Sequence, residues 1–288
     1  MNISLYATMI GPFEGFSFMR IALIACLALV LANGPLGVLL LSRRMALDGD
    51  VLSHAVMPGA ALGFVYAGHS LFALGAGGLL SGAVVAGLAG LLARGRRQRD
   101  ETGLVAFYLI TLALGVMLVA YFGNNVDIMR VLFGTVLAID VSALMQIAVV
   151  SSVTMLLLAI FYRPLAVASF DQVFLRLVGG RAMRGMFMLL VLLNLVVSFQ
   201  AFGTLLAVGP MLLPAAAARC WSRRPGVMSA LASALGMLAC YTGLLVSYHG
   251  NLPSGPAIVL VSGVIYGLSL LASAIGRYAV IMIRGSAA

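Results

Sequence analysis

The run Ile21-Ala-Leu-Ile-Ala-Cys-Leu-Ala-Leu-Val-Leu-Ala-Asn-Gly-Pro-Leu-Gly-Val-Leu-Leu-Leu41 carries no charge, and it stops at Ser42-Arg43-Arg44. A helix that crosses a bilayer needs roughly 20 apolar residues. This run meets that requirement, and the arginine pair marks where the chain leaves the hydrocarbon. The pattern repeats along the sequence. Apolar runs fall near 17–41, 50–67, 71–93, 103–122, 141–161, 184–200, 202–219, 227–247 and 256–276. The expected fold is all-α: a polytopic membrane protein with about eight to nine transmembrane helices in one bundle. The thinnest separator is Phe202-Gly203, between the sixth and seventh runs.

Composition agrees. Of 288 residues, 63% are hydrophobic and 9% charged. Soluble domains carry about 25% charged residues, so this chain lacks the polar surface to face water, and no long polar stretch suggests a soluble domain. The formal charge is +9, and all 17 basic residues are arginine. They cluster between apolar runs, which sets orientation and gives no reason to invoke nucleic acid. With nine spans and the N-terminus outside, every arginine except Arg20 and Arg130 falls on the inner side. The C-terminus is then cytoplasmic. The N-terminus lacks a basic n-region and a small-residue cleavage site, so a cleaved signal peptide is not expected. Cys26, Cys220 and Cys240 lack near partners, and neither a disulfide framework nor a thiolate metal site is expected.

Small residues crowd Gly75-Ala-Gly-Gly-Leu-Leu-Ser-Gly-Ala-Val-Val-Ala-Gly-Leu-Ala-Gly90, where Gly78 and Gly82, then Ala86 and Gly90, repeat at four-residue spacing. Such faces let helices approach closely. Pro210 and Pro214 are expected to kink or break their helix.

Ionisable groups inside a membrane are costly and mark function. Glu14, Asp127 and Asp140 fall in outer loops, while Asp100, Glu101 and Asp171 fall on the inner side, all read as solvated. His69 and His249 sit at outer span ends. Asp50 and His54 remain, within Ala46-Leu-Asp-Gly-Asp-Val-Leu-Ser-His-Ala-Val-Met-Pro-Gly-Ala-Ala-Leu-Gly63. Four residues apart, they share a helix face. Carboxylate and imidazole can bind one divalent cation. Two ligands are too few for a structural site, so a weak site completed by a second copy or a paralogue fits transport. A plainer reading stands beside it: Asp48 or Asp50 caps the helix, and His54 bonds the backbone. No P-loop, His-Glu-x-x-His or Gly-x-Ser-x-Gly motif is present, so the chain is not expected to be an enzyme.

Gly49-Asp-Val-Leu-Ser-His-Ala-Val-Met-Pro-Gly59 closely resembles the corresponding motif of the ABC-3 family of zinc, manganese and iron permeases. So do, in order, Leu132-Phe-Gly-Thr-Val-Leu137, Tyr162 with Ser169-Phe-Asp171 and Gly179, Gly209-Pro-Met-Leu-Leu-Pro-Ala-Ala-Ala-Ala-Arg219, and Leu252-Pro-Ser-Gly-Pro256. The resemblance covers most of the chain and implies a single permease domain over 1–288. It implies an ATP-driven importer of zinc, manganese or iron in the bacterial cytoplasmic membrane, working by alternating access.

Asp50 and His54 would then lie on the metal path. The segment 163–182, with Phe170, Asp171 and Gly179, would couple to the ATPase. Its Phe170-Asp-Gln-Val-Phe-Leu175 departs from the family's frequent Phe-Asp-Pro-Glu-x-Ala. Implied partners are a cytoplasmic ATPase that binds the ATP, an extracytoplasmic metal-binding protein, and a second permease, identical or paralogous. No cofactor is bound permanently; the metal is cargo. The alternatives are a permease for siderophores, haem or cobalamin, and a secondary metal transporter.

Overall fold

A computed structural model describes residues 6, 8–67, 70–92, 101–122, 134, 136–170, 180–203 and 206–285. Among these are ten α-helices: α1 (Gly11–Gly15), α2 (Ser17–Ser42), α3 (Ala46–Ala67), α4 (Leu71–Leu92), α5 (Glu101–Phe122), α6 (Val141–Phe170), α7 (Gly180–Phe202), α8 (Gly209–Trp221), α9 (Pro225–Gly250) and α10 (Ser254–Gly285). Five of them, α2, α6, α7, α9 and α10, hold segments long and apolar enough to cross a membrane by themselves, and α4 and α5 hold shorter apolar stretches. His69, Asp127, Asp171 and Gly179 lie outside the described residues.

Local chemistry sets the helix ends. Prolines at the first positions of α1, α8 and α9 start those helices, where a missing N–H costs nothing. The end of α2 is a Schellman turn. Met45 N–H donates to the Leu40 carbonyl at 3.0 Å, Arg44 N–H donates to the Leu41 carbonyl at 3.1 Å, and Arg44 takes a left-handed φ of 55°. This turn needs only three residues before α3 begins, so it fixes where the Asp50–His54 motif starts. Asn251 closes α9 in the same left-handed region.

Helix α2 is the hub, packing on α6, α7, α8 and α9. About two-thirds of its apolar window is buried (67%), against 17% for α10. On α10 the exposed Leu260, Val264, Leu268, Leu271 and Ile275 recur every three to four residues, a stripe that lipid accommodates and water does not. Helices α3, α4 and α5 form a second group, joined to the rest mainly through α7.

Within that group, α3 and α4 cross backbone to backbone. A Cβ added to Gly59 would strike the Gly77 carbonyl, one on Gly77 would strike the Gly59 carbonyl, and one on Gly63 would strike the Ala73 carbonyl. The Ser81 hydroxyl donates to the Ala55 carbonyl one turn further along. Gly78 and Gly82 instead accept side chains, of Val56 and of Leu192 from α7. The small-residue stretch does pack closely, but its backbone contact runs through Gly77.

The seventh apolar run needs correction. No single helix fills 202–219. Helix α7 ends at Phe202, Gly203 turns at φ 80°, a turn covers 206–208, and α8 begins only at Gly209. Its 13 residues span about 20 Å, short of a roughly 30 Å hydrocarbon core. Ala207 and Val208 are buried, so this irregular backbone sits inside protein, the one setting where a membrane tolerates it. Pro210 initiates α8, and Pro214 lies within it.

Asp140, read as solvated, is exposed but also caps α6. Its carboxylate accepts the Ala143 N–H at 2.9 Å and the Ser142 hydroxyl at 2.7 Å. These bonds, the Ser142 hydroxyl first, hold its carboxyl below the ordinary value of about 3.9. A depressed folded value means the stabilisation is present above that pH and lost as pH falls through the lower folded value. Asp140→Ala is expected to cost about 1 kcal/mol, as cap removals do. The check is thermal unfolding in detergent, in which the difference from wild type should shrink in strong acid.

Candidate metal-transfer site

From the Schellman turn the chain enters α3 with Asp48 in its first turn, where a carboxylate meets the positive end of the helix dipole. Asp50 follows, still half exposed, with 48% of its side-chain surface open. The next ten residues, 51–60, are all buried. His54 lies within that stretch at 3% exposure. At 1.5 Å per residue its Cα is about 12 Å along the axis from the start of α3.

The His54 Nε2 and Asp50 Oδ1 atoms are 3.9 Å apart. That exceeds a hydrogen bond. It is less than twice a metal–ligand bond of roughly 2.1 Å, so one cation can touch both atoms. The arrangement brings the two predicted ligands together, one buried in a run with Val51, Leu52, Ala55 and Val56 and the other half exposed. Among the described residues, no group of three or more His, Cys, Asp or Glu is placed to hold a metal ion. Among the described residues the pair could thus supply two ligands of a four-ligand shell. Cys26, Cys220 and Cys240 are free thiols. His249 is exposed, with its Nδ1 2.9 Å from the Leu245 carbonyl at the end of α9.

Arginines gather at one end of the bundle. The Arg43 guanidinium donates to the Leu165 carbonyl of α6 at 3.0 Å and lies 4.3 Å from the centre of the Phe187 ring of α7. Burial, then the nearby Arg184 cation, lowers the Arg43 pKa to about 10, which leaves it charged at neutral pH. The link therefore ties the end of α2 to the helices on both sides of segment 163–182. Phe170 is the last residue of α6.

Sequence reasoning passed over a polar seam between α2, α6 and α7. Asn33 donates to the Ser198 hydroxyl at 3.2 Å, and Asn194 donates to the Thr154 hydroxyl at 2.7 Å and to the Leu190 carbonyl at 2.9 Å. Both asparagines are at most 1% exposed. Their Oδ1 atoms, the Ser151 hydroxyl, the Gln146 Oε1 and both amide atoms of Gln200 have no hydrogen-bond partner among the described residues, which suits ordered water. The available signal was an asparagine in the middle of each of two apolar runs.

The profile of the ABC 3 transport family matches residues 15–273. The chain belongs to that family. It is 32% identical over 262 residues to the manganese import system permease protein ScaB of Streptococcus parasanguinis, covering 90% of this chain and 92% of that one. It is 32% identical over 263 residues to the manganese transport system membrane protein MntC of Listeria monocytogenes, covering 89% and 91%. Among solved structures, a chain of PsaBC from Streptococcus pneumoniae, determined in complex with Fab, aligns with TM-score 0.83 and 28% identity over 91% of this chain and 94% of that one. A chain described as a metal-chelate type ABC transporter, inward-facing, aligns with TM-score 0.65 at 16% identity over 88% and 84%, which speaks to fold alone. The fold is that of a multi-pass membrane permease of this family.

Proposed function

We propose that the chain is the permease subunit of an ATP-driven importer of divalent transition metals, with manganese as its cargo. The observation that carries this reading is the Asp50–His54 pair, 3.9 Å apart on α3, in a chain whose relatives are named as manganese permeases. Carboxylate oxygen suits manganese, and imidazole extends the site to zinc and iron. A second copy, or a paralogue, would bring another Asp and His across a shared axis. A four-ligand site divided between two subunits forms when they close and weakens when they part, as release requires.

ATP hydrolysis belongs to a separate cytoplasmic subunit, and an extracytoplasmic metal-binding protein delivers the ion. The ATPase docks at segment 163–182 through Phe170, Asp171 and Gly179. Helix α6 supports that placement. Its 30 residues reach about 45 Å, longer than the hydrocarbon core, so its last turns project at the arginine-rich end. With that end inside, the N-terminus is outside, the C-terminus is cytoplasmic, and the host membrane is the bacterial cytoplasmic membrane.

The test is metal uptake in cells that express the chain with its ATPase and binding protein, for manganese, zinc and iron in parallel. Saturable uptake of manganese that stops when the ATPase is inactivated supports the proposal. Uptake unaffected by that inactivation would mean a secondary transporter.

Arg43 provides a narrower check, because it ties α2 to both helices flanking the coupling segment. Arg43→Ala is expected to cost about 1–3 kcal/mol of stability, from the lost charged hydrogen bond and ring contact. Uptake per assembled complex should fall several-fold. Arg43→Lys keeps the charge without the planar fork and should fall between. Thermal unfolding and uptake at matched membrane abundance measure the two effects.

A further inference from the structure

Between the ends of α2 and α8 and the middle of α10 lies a cavity of about 640 Å³. Two cations line it, Arg219 in the last turn of α8 and Arg223 just beyond. Both are exposed, and among the described residues no carboxylate forms an ion pair with either. Hydroxyl groups of Ser222 and Tyr266 line the same cavity. Trp221 stands at its edge, 62% exposed. On the other wall Leu270 is 41% exposed.

Each feature has a physical reading. Two guanidinium groups without a carboxylate partner among the described residues, beside hydroxyl groups, make a site for a phosphate-type anion. An exposed tryptophan at the end of a spanning helix belongs at the level of lipid headgroups. Beside it, the exposed Leu270 and the Trp221 ring offer an acyl chain an apolar surface. A soluble anion would use the arginines and leave Trp221 and Leu270 without a role; a phospholipid uses both. Basic clefts between membrane helices on the cytoplasmic side bind anionic headgroups.

We infer that this cleft binds the phosphate of an anionic phospholipid from the cytoplasmic leaflet. Arg219 and Arg223 hold the phosphate, Ser222 and Tyr266 donate to it, and Trp221 lies against the glycerol region. No residue of α3 lines the site, and its occupancy does not depend on which metal is carried.

Trp221 makes this measurable, because it is the single tryptophan of the chain. The full-length protein is placed in nanodiscs of phosphatidylcholine containing a minor fraction of phosphatidylglycerol, with bromine on the acyl chains of one lipid or the other. Bromine quenches indole fluorescence on contact. At equal mole fraction, brominated phosphatidylglycerol is expected to quench Trp221 at least threefold more than brominated phosphatidylcholine. Arg219→Gln with Arg223→Gln should remove the difference, and Arg219→Lys with Arg223→Lys should keep most of it, both in protein that remains monodisperse. Equal quenching by the two lipids in wild type would overturn the inference. So would a preference that survives the glutamine pair. Loss of the preference on adding millimolar inorganic phosphate, at constant ionic strength, would assign the site to free phosphate instead.

Discussion

His54→Ala is expected to reduce manganese uptake by at least about tenfold at unchanged membrane abundance. Even the outer partners of a metal ligand are worth 10–100-fold in affinity or activity. His54 would be a direct ligand and, in a two-copy site, would be lost twice. Asp50→Asn should act similarly, because it keeps the shape of the side chain while removing the charge that attracts a divalent ion. The folds of both variants should survive. His54 is buried, yet alanine in its place leaves a small cavity in a helix otherwise held by Val51, Leu52 and Val56. Asp50 is half exposed.

The measurement is uptake of manganese, zinc and iron with the partner subunits co-expressed. Basal ATP hydrolysis by the assembled complex confirms that the partners still dock. Selective loss of one metal names the cargo and places His54 on its path. Manganese uptake fully retained in His54→Ala leaves a metal importer but removes this histidine from its mechanism. If wild type moves none of the three metals although its partners assemble, the site does not serve free ions, and a permease for metal chelates or cobalamin becomes the better reading.

Much of the architecture was legible because membrane helices announce their ends. Arg43-Arg44, Arg219 with Arg223 and Arg224, and Asn251 at its left-handed turn each close a helix where an apolar run also stops. The motif spacing likewise placed Asp50 and His54 on one face, as found. The break marked by Gly203 and the turn at 206–208 was hidden for a physical reason. A loop in water needs polar residues, but this one is walled in by protein, so Ala207 and Val208 look like the runs around them. The seam of Asn33 and Asn194 was visible as letters and silent as structure, because each side-chain amide donates to a residue on another helix. Helix register is equally non-local: nothing in the chain's order says that Gly59 meets Gly77 rather than Gly78.

That crossing carries the second large effect. Gly59→Val is expected to destabilise the protein by about 3 kcal/mol or more, at or beyond the upper end for overpacked sites. A side chain that meets another side chain can push it to a new rotamer. Here the first atom met is the Gly77 carbonyl, and backbone yields only if the whole of α4 moves. Moving α4 would also break the bond from Ser81 to the carbonyl of Ala55, the residue next to His54. Gly59→Ala, with one carbon in the same contact, should fold less stably and lose uptake more steeply than stability, since the strain falls on the helix that carries Asp50 and His54. Gly87→Val on α4 is the control, because nothing lies within 4 Å of its Cβ position. Thermal unfolding in detergent, with yield of monodisperse protein, ranks the three. Gly59→Val unfolding at the temperature of Gly87→Val would mean that α3 and α4 do not touch at these glycines, and that the placement of His54 by this crossing is wrong.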